Sequence, residues 1–267
     1  MFPRAFTRRW LSSSRLRAVL KLDWLGCRQH PSRLFRRTEV RPISLEERSA
    51  LISHHDECLF VHVPKCAGQS IEMFFLARIG LDWDTRAPFL LRPNDTPALG
   101  PPRLAHLKAH EYVEKKWVTQ DQFDRYFKFT IVRNPWDRTA SFYRFLGYDR
   151  WCSFSRFVRS YLPGKVENNH WFFLPQVDYL YRNGGQLLVD FVGRYESLTR
   201  DFATACQHLN IAAAELPHAN NRQKKGPGFK QWLRRRPVPY TQMYDSRTRS
   251  IVAKLYEADV DAFKYVF

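Results

Sequence analysis

The chain has 267 residues, 44% of them hydrophobic, enough for one sizeable α/β core and too few for two full domains. Lys and Arg number 43 against 26 Asp and Glu, a formal +17 that favours an anionic partner without choosing among nucleotide, glycan, nucleic acid and membrane surface. The five cysteines, Cys27, Cys58, Cys66, Cys152 and Cys206, form no Cys-x-x-Cys pair and no regular spacing, which argues against a disulfide framework or a zinc site and fits a reducing compartment.

The charge is uneven. Residues 1–41 hold eleven Lys and Arg against only Asp23 and Glu39, so this arm supplies more than half of the excess. Arginines mixed with Leu, Phe and Trp suit an organelle presequence, a helix lying on a membrane surface, or a solvated tail. No run of about 18 uncharged apolar residues occurs, so no transmembrane anchor is expected and the chain reads as a cytoplasmic or organelle-targeted soluble protein.

Beyond the arm, Cys58–Val63 (CLFVHV) reads as a strand stopped by Pro64, and a helical apolar pattern follows from Ile71 to Ile79. Five prolines between 82 and 104 predict a loop or flap, and a helix is expected over 109–117. Tyr126–Val132 (YFKFTIV) is a second strand, broken by Asn134-Pro135 before a helix from Trp136 to Gly147. Leu187–Val192 is a third strand, Leu198–Leu209 a helix, and Ser246–Ala262 a C-terminal amphipathic helix. Strands alternating with helices predict a single α/β domain, a P-loop-like parallel β-sheet flanked by helices, with ligands at the carboxyl ends of the strands.

Two segments carry chemistry. Pro64–Ser70 (PKCAGQS) leaves a strand and enters a helix, where backbone N–H groups and the helix dipole converge on an anion, Gly68 allows close approach and Lys65 adds a point charge. The spacing is not that of a Walker A loop, and an ordinary strand-to-helix connection has the same outline. Arg133–Ser141 (RNPWDRTAS) leaves the next strand, with Arg133 placed for a bidentate phosphate contact and Ser141 two turns into the helix able to donate its hydroxyl. The blander alternative is that Arg133 and Arg138 pair with Asp137 and Asp149.

Together, FVHVPKCAGQSIE and FTIVRNPWDRTASFYRF resemble the 5′-phosphosulfate and 3′-phosphate motifs of the carbohydrate sulfotransferases, the group that includes heparan sulfate 2-O-sulfotransferase. The resemblance continues through VGRYESLTRDF, LPHAN and LYEADVDAFKY, covering residues 57–267. It implies that Lys65, Cys66, Ala67, Gly68, Gln69 and Ser70 hold the 5′-phosphosulfate of 3′-phosphoadenosine 5′-phosphosulfate (PAPS), and that Arg133 and Ser141 hold its 3′-phosphate. Gln69 stands where the family often has threonine, so only its backbone contact carries over. Gln176, Arg194 and Glu196 match family positions with no role assigned.

Sulfuryl transfer needs in-line positioning, stabilisation of the leaving oxygen, for which Lys65 is the candidate, and a base for the acceptor hydroxyl. No metal is expected. The family's catalytic histidine falls in the region of RLAHLKAHEYV, which makes His106 the preferred base and His110 the second, with activity falling as pH drops through about 6 to 7. His62 reads as a core residue. The dense aromatics between Trp151 and Phe173 can stack on a sugar or fill the core. The basic stretch Asn221–Pro237 can close over the nucleotide, greet an anionic acceptor or remain a solvated loop.

The expected partner is a carbohydrate or other hydroxyl acceptor, with possible membrane-surface contact through the arm and no nucleic acid. The alternatives are a nucleotide-dependent phosphotransferase, for which no phosphate loop or magnesium ligands are visible, and a basic nucleic-acid or membrane-binding module.

Overall fold

The computed structural model describes residues 52–82, 84, 93–182, 185–212, 216 and 238–267; the basic arm, most of the proline-rich flap, LPHAN beyond Leu216 and the stretch 221–237 lie outside them. The core is a four-stranded sheet in the order β1-β2-β3-β6, formed by Ile52–Ser53, Cys58–Val61, Phe127–Val132 and Phe191–Arg194. Strands β2, β3 and β6 run parallel, and β1 is an antiparallel edge. Every residue of β2 and all but the first of β3 are buried, as expected for strands covered on both faces.

Each parallel strand delivers its chain to a helix at its carboxyl end: β2 to α1 (Gly68–Arg78), β3 to α3 (Pro135–Phe145) and β6, through a short turn at Tyr195–Ser197, to α4 (Leu198–His208). Because β2 and β3 are neighbours in register, Val61 opposite Thr130, both chemistry-bearing segments leave the same end of the sheet side by side. Among the described residues no helix is long and apolar enough to cross a membrane.

Three expected elements differ. The helix expected over 109–117 is a single turn, Glu111–Glu114, because the chain reverses at Lys116 with φ 62°; the Ala109 N–H before it bonds the Tyr179 carbonyl at 2.7 Å. A separate helix, α2 (Gln120–Arg125), starts after it on a reciprocal capping box between Thr119 and Gln122.

The strand expected over 187–192 splits. Leu187 belongs to a small hairpin of β4 (Tyr181–Arg182) and β5 (Gln186–Leu187), and only from Phe191 does the chain join the main sheet. The switch is made by the Leu188 N–H bonding to Leu180 and by Asp190, whose N–H and carboxylate both engage Lys128. The C-terminal helix is also two, α5 (Ser246–Leu255) and α6 (Glu257–Phe263). They are broken at Tyr256, whose ring is buried and whose hydroxyl donates to the Phe173 carbonyl.

Candidate active site

The turn between β2 and α1 is held in an unusual backbone shape, with Lys65 at φ 69° and Ala67 at φ 65°, both left-handed. Non-glycine residues adopt this conformation at a cost, so the surrounding structure must hold it. It is held by Arg138, a buried side chain of α3 that donates from Nε to the Pro64 carbonyl at 3.0 Å and from Nη1 to the Leu174 carbonyl at 2.9 Å. Arg138 therefore does not pair with Asp149; it ties the turn to the 171–176 segment.

The turn suits an anion. Its helix is eleven residues long, no side chain caps its N-terminus, and no acid lies in its first turn. The first amides of an α-helix have no full set of intrahelical acceptors; the Ser70 N–H bonds the Ala67 carbonyl at 3.0 Å, and no acid of the helix's own first turn competes for the others.

Gly68 has a different reason to be glycine than close approach to a ligand. A Cβ there would fall 2.0 Å from the His62 ring. His62 is buried, its Nδ1 is 2.5 Å from the Glu72 carboxylate, and burial together with Lys65 pushes its pKa down to about 3. The neutral ring thus donates to Glu72 and wedges under the turn.

Arg133, at the end of β3, is fixed at both its main chain and its side chain. Gln176 pairs with its main chain, Oε1 accepting from the Arg133 N–H and Nε2 donating to the Arg133 carbonyl, each at 2.8 Å. Gln176 Oε1 also accepts from the buried Cys66 thiol at 3.3 Å, so one amide links the two motifs. Burial pushes that thiol up to about 12, which keeps it protonated and able to donate.

The Arg133 guanidinium lies 3.9 Å above the Tyr195 ring, bonds Asp137 through Nε and Nη2, and donates from Nη1 to the Lys65 carbonyl at 3.1 Å. Burial opposes its charge, but Asp137 outweighs burial and its pKa is raised. The pairing with Asp137 is real, yet a guanidinium carries five N–H donors, and among the described residues three are engaged. Ser141 lies two turns along α3, partly exposed. Glu196 completes the frame, accepting from the Asn134 N–H at 2.6 Å and the Tyr265 hydroxyl at 3.1 Å. Gln176 and Glu196 had no assignable role in the sequence, because each works on backbone far away in the chain.

Lys65 directs its ammonium over the Phe145 ring, 3.5 Å from the centroid. Phe145 stacks on Phe172, and Phe172 and Trp171 both contact the imidazole of His106. His106 lines a cleft of about 290 Å³ with Lys108, Glu111, Asn169, Trp171 and Asp178. Its Nδ1 lies 2.9 Å from the His62 carbonyl, which can only accept, so Nδ1 carries the proton and Nε2 keeps its lone pair. Burial and the neighbouring His62 hold its pKa well below the ordinary histidine value, so the ring stays neutral through the range of about 6 to 7 in which an unperturbed histidine titrates.

His110 does not line this cleft; its Nε2 faces Glu114 at 3.8 Å, and its Nδ1 is buried with no hydrogen bond among the described residues. Of the aromatics, Phe154, Phe157, Phe172 and Phe173 are core, Trp151 is exposed, and Trp171 alone is at the cleft. A larger hollow of about 520 Å³, lined by residues such as His55, Arg125 and His208, lies at the opposite end of the sheet and contains none of the motif residues.

Comparison with known proteins agrees with this architecture. An uncharacterized protein of Archaeoglobus fulgidus is 33% identical over 99 residues, 35% of this chain and 76% of that protein. No solved structure gives a significant match. The model of the sulfotransferase family matches residues 48–266, spanning the sheet, both motif segments and the cleft. The chain therefore belongs to the sulfotransferase family, enzymes that transfer a sulfuryl group with PAPS as co-substrate.

Proposed function

We propose that the protein transfers the sulfuryl group of PAPS to a hydroxyl of a carbohydrate, within a catalytic unit spanning residues 57–267. PAPS supplies an activated sulfuryl group on a leaving phosphate; the chain supplies position, charge and a base. In this reading Lys65 and the segment Cys66 to Ser70 hold the 5′-phosphosulfate, Arg133 with the Ser141 hydroxyl holds the 3′-phosphate, and His106 removes the acceptor proton. The observation that carries it is the His62 carbonyl fixing the His106 tautomer, which keeps an unprotonated Nε2 on a ring lining the cleft. His110, turned to Glu114, is the weaker candidate.

The uncapped, acid-free start of α1 beside Arg133 supports two anion sites on adjacent strand ends, the pattern a nucleotide phosphorylated at both 3′ and 5′ positions requires. The motifs shared with the carbohydrate sulfotransferases support a sugar acceptor. Residues 1–41 are a basic stretch with a composition suited to an anionic membrane surface.

The test is retention on immobilised adenosine 3′,5′-bisphosphate followed by transfer from labelled PAPS to a panel of glycans, glycolipids and small alcohols. Elution by the free bisphosphate but not by ATP, with label on a sugar hydroxyl, is the expected result. Elution by salt alone, or label only on non-carbohydrate alcohols, contradicts it.

A further inference from the structure

The cleft beside His106 is electrostatically unlike the rest of this basic chain. Its described charged lining residues are two carboxylates, Glu111 and Asp178, and one cation, Lys108. Glu111 has an internal task, since its Oε2 accepts from the Lys108 main-chain N–H at 2.7 Å. Asp178 has none: among the described residues its carboxylate makes no hydrogen bond and no ion pair, although it is half-buried. A carboxylate stripped of part of its water and given no donor is destabilised, and a ligand that brings donors relieves the cost. Burial raises the Asp178 pKa in consequence, against the pull of Lys108 and Arg138.

The lining also has an apolar, anchored part. Trp171 stacks against the His106 ring at 5.3 Å and 27°, and its carbonyl is held by the Tyr179 hydroxyl. A cleft lined by an indole, a donor-seeking carboxylate and the Asn169 amide suits a ring that is apolar on one face and bears hydroxyls at its edge. A uronate or a sulfate ester would instead bring a second negative charge beside Asp178 and Glu111.

We infer that the cleft takes an uncharged polyhydroxyl acceptor, with Asp178 as the specificity-determining residue that accepts hydrogen bonds from hydroxyls neighbouring the one that reacts. This rests on the sugar-acceptor reading given above and narrows it. The net positive charge of the chain does not contradict it, because more than half of that excess lies in residues 1–41.

The experiment uses the full chain, labelled PAPS, and matched acceptors: a neutral glycoside, its uronate and its O-sulfated form. The wild type is expected to show kcat/KM at least tenfold higher for the neutral member. Asp178→Asn, which keeps shape and halves the acceptor capacity, should raise KM for the neutral glycoside about tenfold, leave kcat within threefold, and narrow the preference over the uronate. Asp178→Glu should restore much of the KM, separating a lost hydrogen bond from a misfolded cleft. Preference for the uronate or sulfated form, or an unchanged KM in Asp178→Asn, overturns the inference. So does a kcat loss without a KM change, which would make Asp178 a base instead. Affinity for adenosine 3′,5′-bisphosphate, measured by calorimetry on the same samples, separates the two levels. Nucleotide binding without transfer to any of the three sugars overturns the inference and leaves the donor site standing, whereas loss of nucleotide binding overturns the proposed function itself.

Discussion

The side-chain amide of Gln176 closes on the main chain of Arg133 from both sides, Oε1 taking its N–H and Nε2 giving to its carbonyl, each at 2.8 Å. This is the hydrogen-bond pattern of an additional strand residue, supplied by a side chain where β3 has run out of partners. Gln176 is fully buried, so no water replaces it. Gln176→Leu keeps the volume and leaves an N–H and a carbonyl unsatisfied, at roughly 1–3 kcal/mol each. The expected outcome is a lower urea midpoint and at least tenfold weaker binding of adenosine 3′,5′-bisphosphate. Full binding in a destabilised variant would show that the main chain of Arg133 holds its place without this amide.

Gly68 offers a test of what a glycine in an anion-binding turn is for. The space its Cβ would occupy is filled by the His62 ring, itself pinned by Glu72, so Gly68→Ala must displace a held imidazole. Overpacking of this kind costs about 1–3 kcal/mol. His62→Ala removes the obstacle. If His62 is the reason for the glycine, the His62→Ala, Gly68→Ala double variant should bind adenosine 3′,5′-bisphosphate as well as His62→Ala alone. A further drop in calorimetric affinity would mean that the ligand, not the ring, needs the empty position.

Arg138 and Asp259 are both fully buried, and among the described residues Nη2 of one and Oδ2 of the other have no hydrogen bond. Burial pushes Asp259 up to about 6, although Arg138 and the Val177 N–H favour its charged form. A carboxyl whose folded pKa lies above its ordinary value of 3.8 binds its proton more tightly when folded. The stability this contributes is present below the ordinary pKa and is lost as pH rises through about 6. Asp259→Asn cannot ionise, so its stability relative to wild type should improve between about pH 4 and about pH 8. Urea midpoints that stay parallel for the two proteins over this range would show that Asp259 is ionised throughout.

Much of the sheet was legible because β2 and β3 are short apolar runs ended by proline, and the register of a buried parallel pair follows from such runs. What was not legible depends on contacts distant in sequence. The 109–117 pattern is helical in isolation, but the chain turns into the left-handed region at Lys116 and the helix ends after one turn. The run at 187–192 is continuous as sequence, yet Lys128 and Asp190 divide it between two sheets. At the site, Lys65, Arg133 and His106 stand out as charged or titratable types next to turns. Gln176 and Arg138 do not, because their importance lies in which carbonyls and amides they reach. Asp178 was equally silent, since nothing in the sequence says that a carboxylate has no partner.

His106 is where pH separates the readings most sharply. Its Nδ1–H is committed to the His62 carbonyl, so Nε2 is the atom able to accept a proton from the acceptor hydroxyl. His106→Ala should therefore lower kcat by about a hundredfold or more while leaving bisphosphate affinity nearly unchanged, because the ring acts on the acceptor and not on the nucleotide. An ordinary histidine base would lose activity as pH fell through about 6 to 7. Burial and His62 depress the pKa of this one well below that, and a base is inactivated only when it becomes protonated. Single-turnover rates should consequently hold nearly level through the ordinary histidine range and fall only at lower pH. His62→Ala, which removes one of the depressing neighbours and opens the ring to water, should move that acid limb upward. A limb centred near 6.5 in the wild type would mean that the ring is solvated during turnover. Full turnover in His106→Ala, with loss in His110→Ala, would transfer the base to His110.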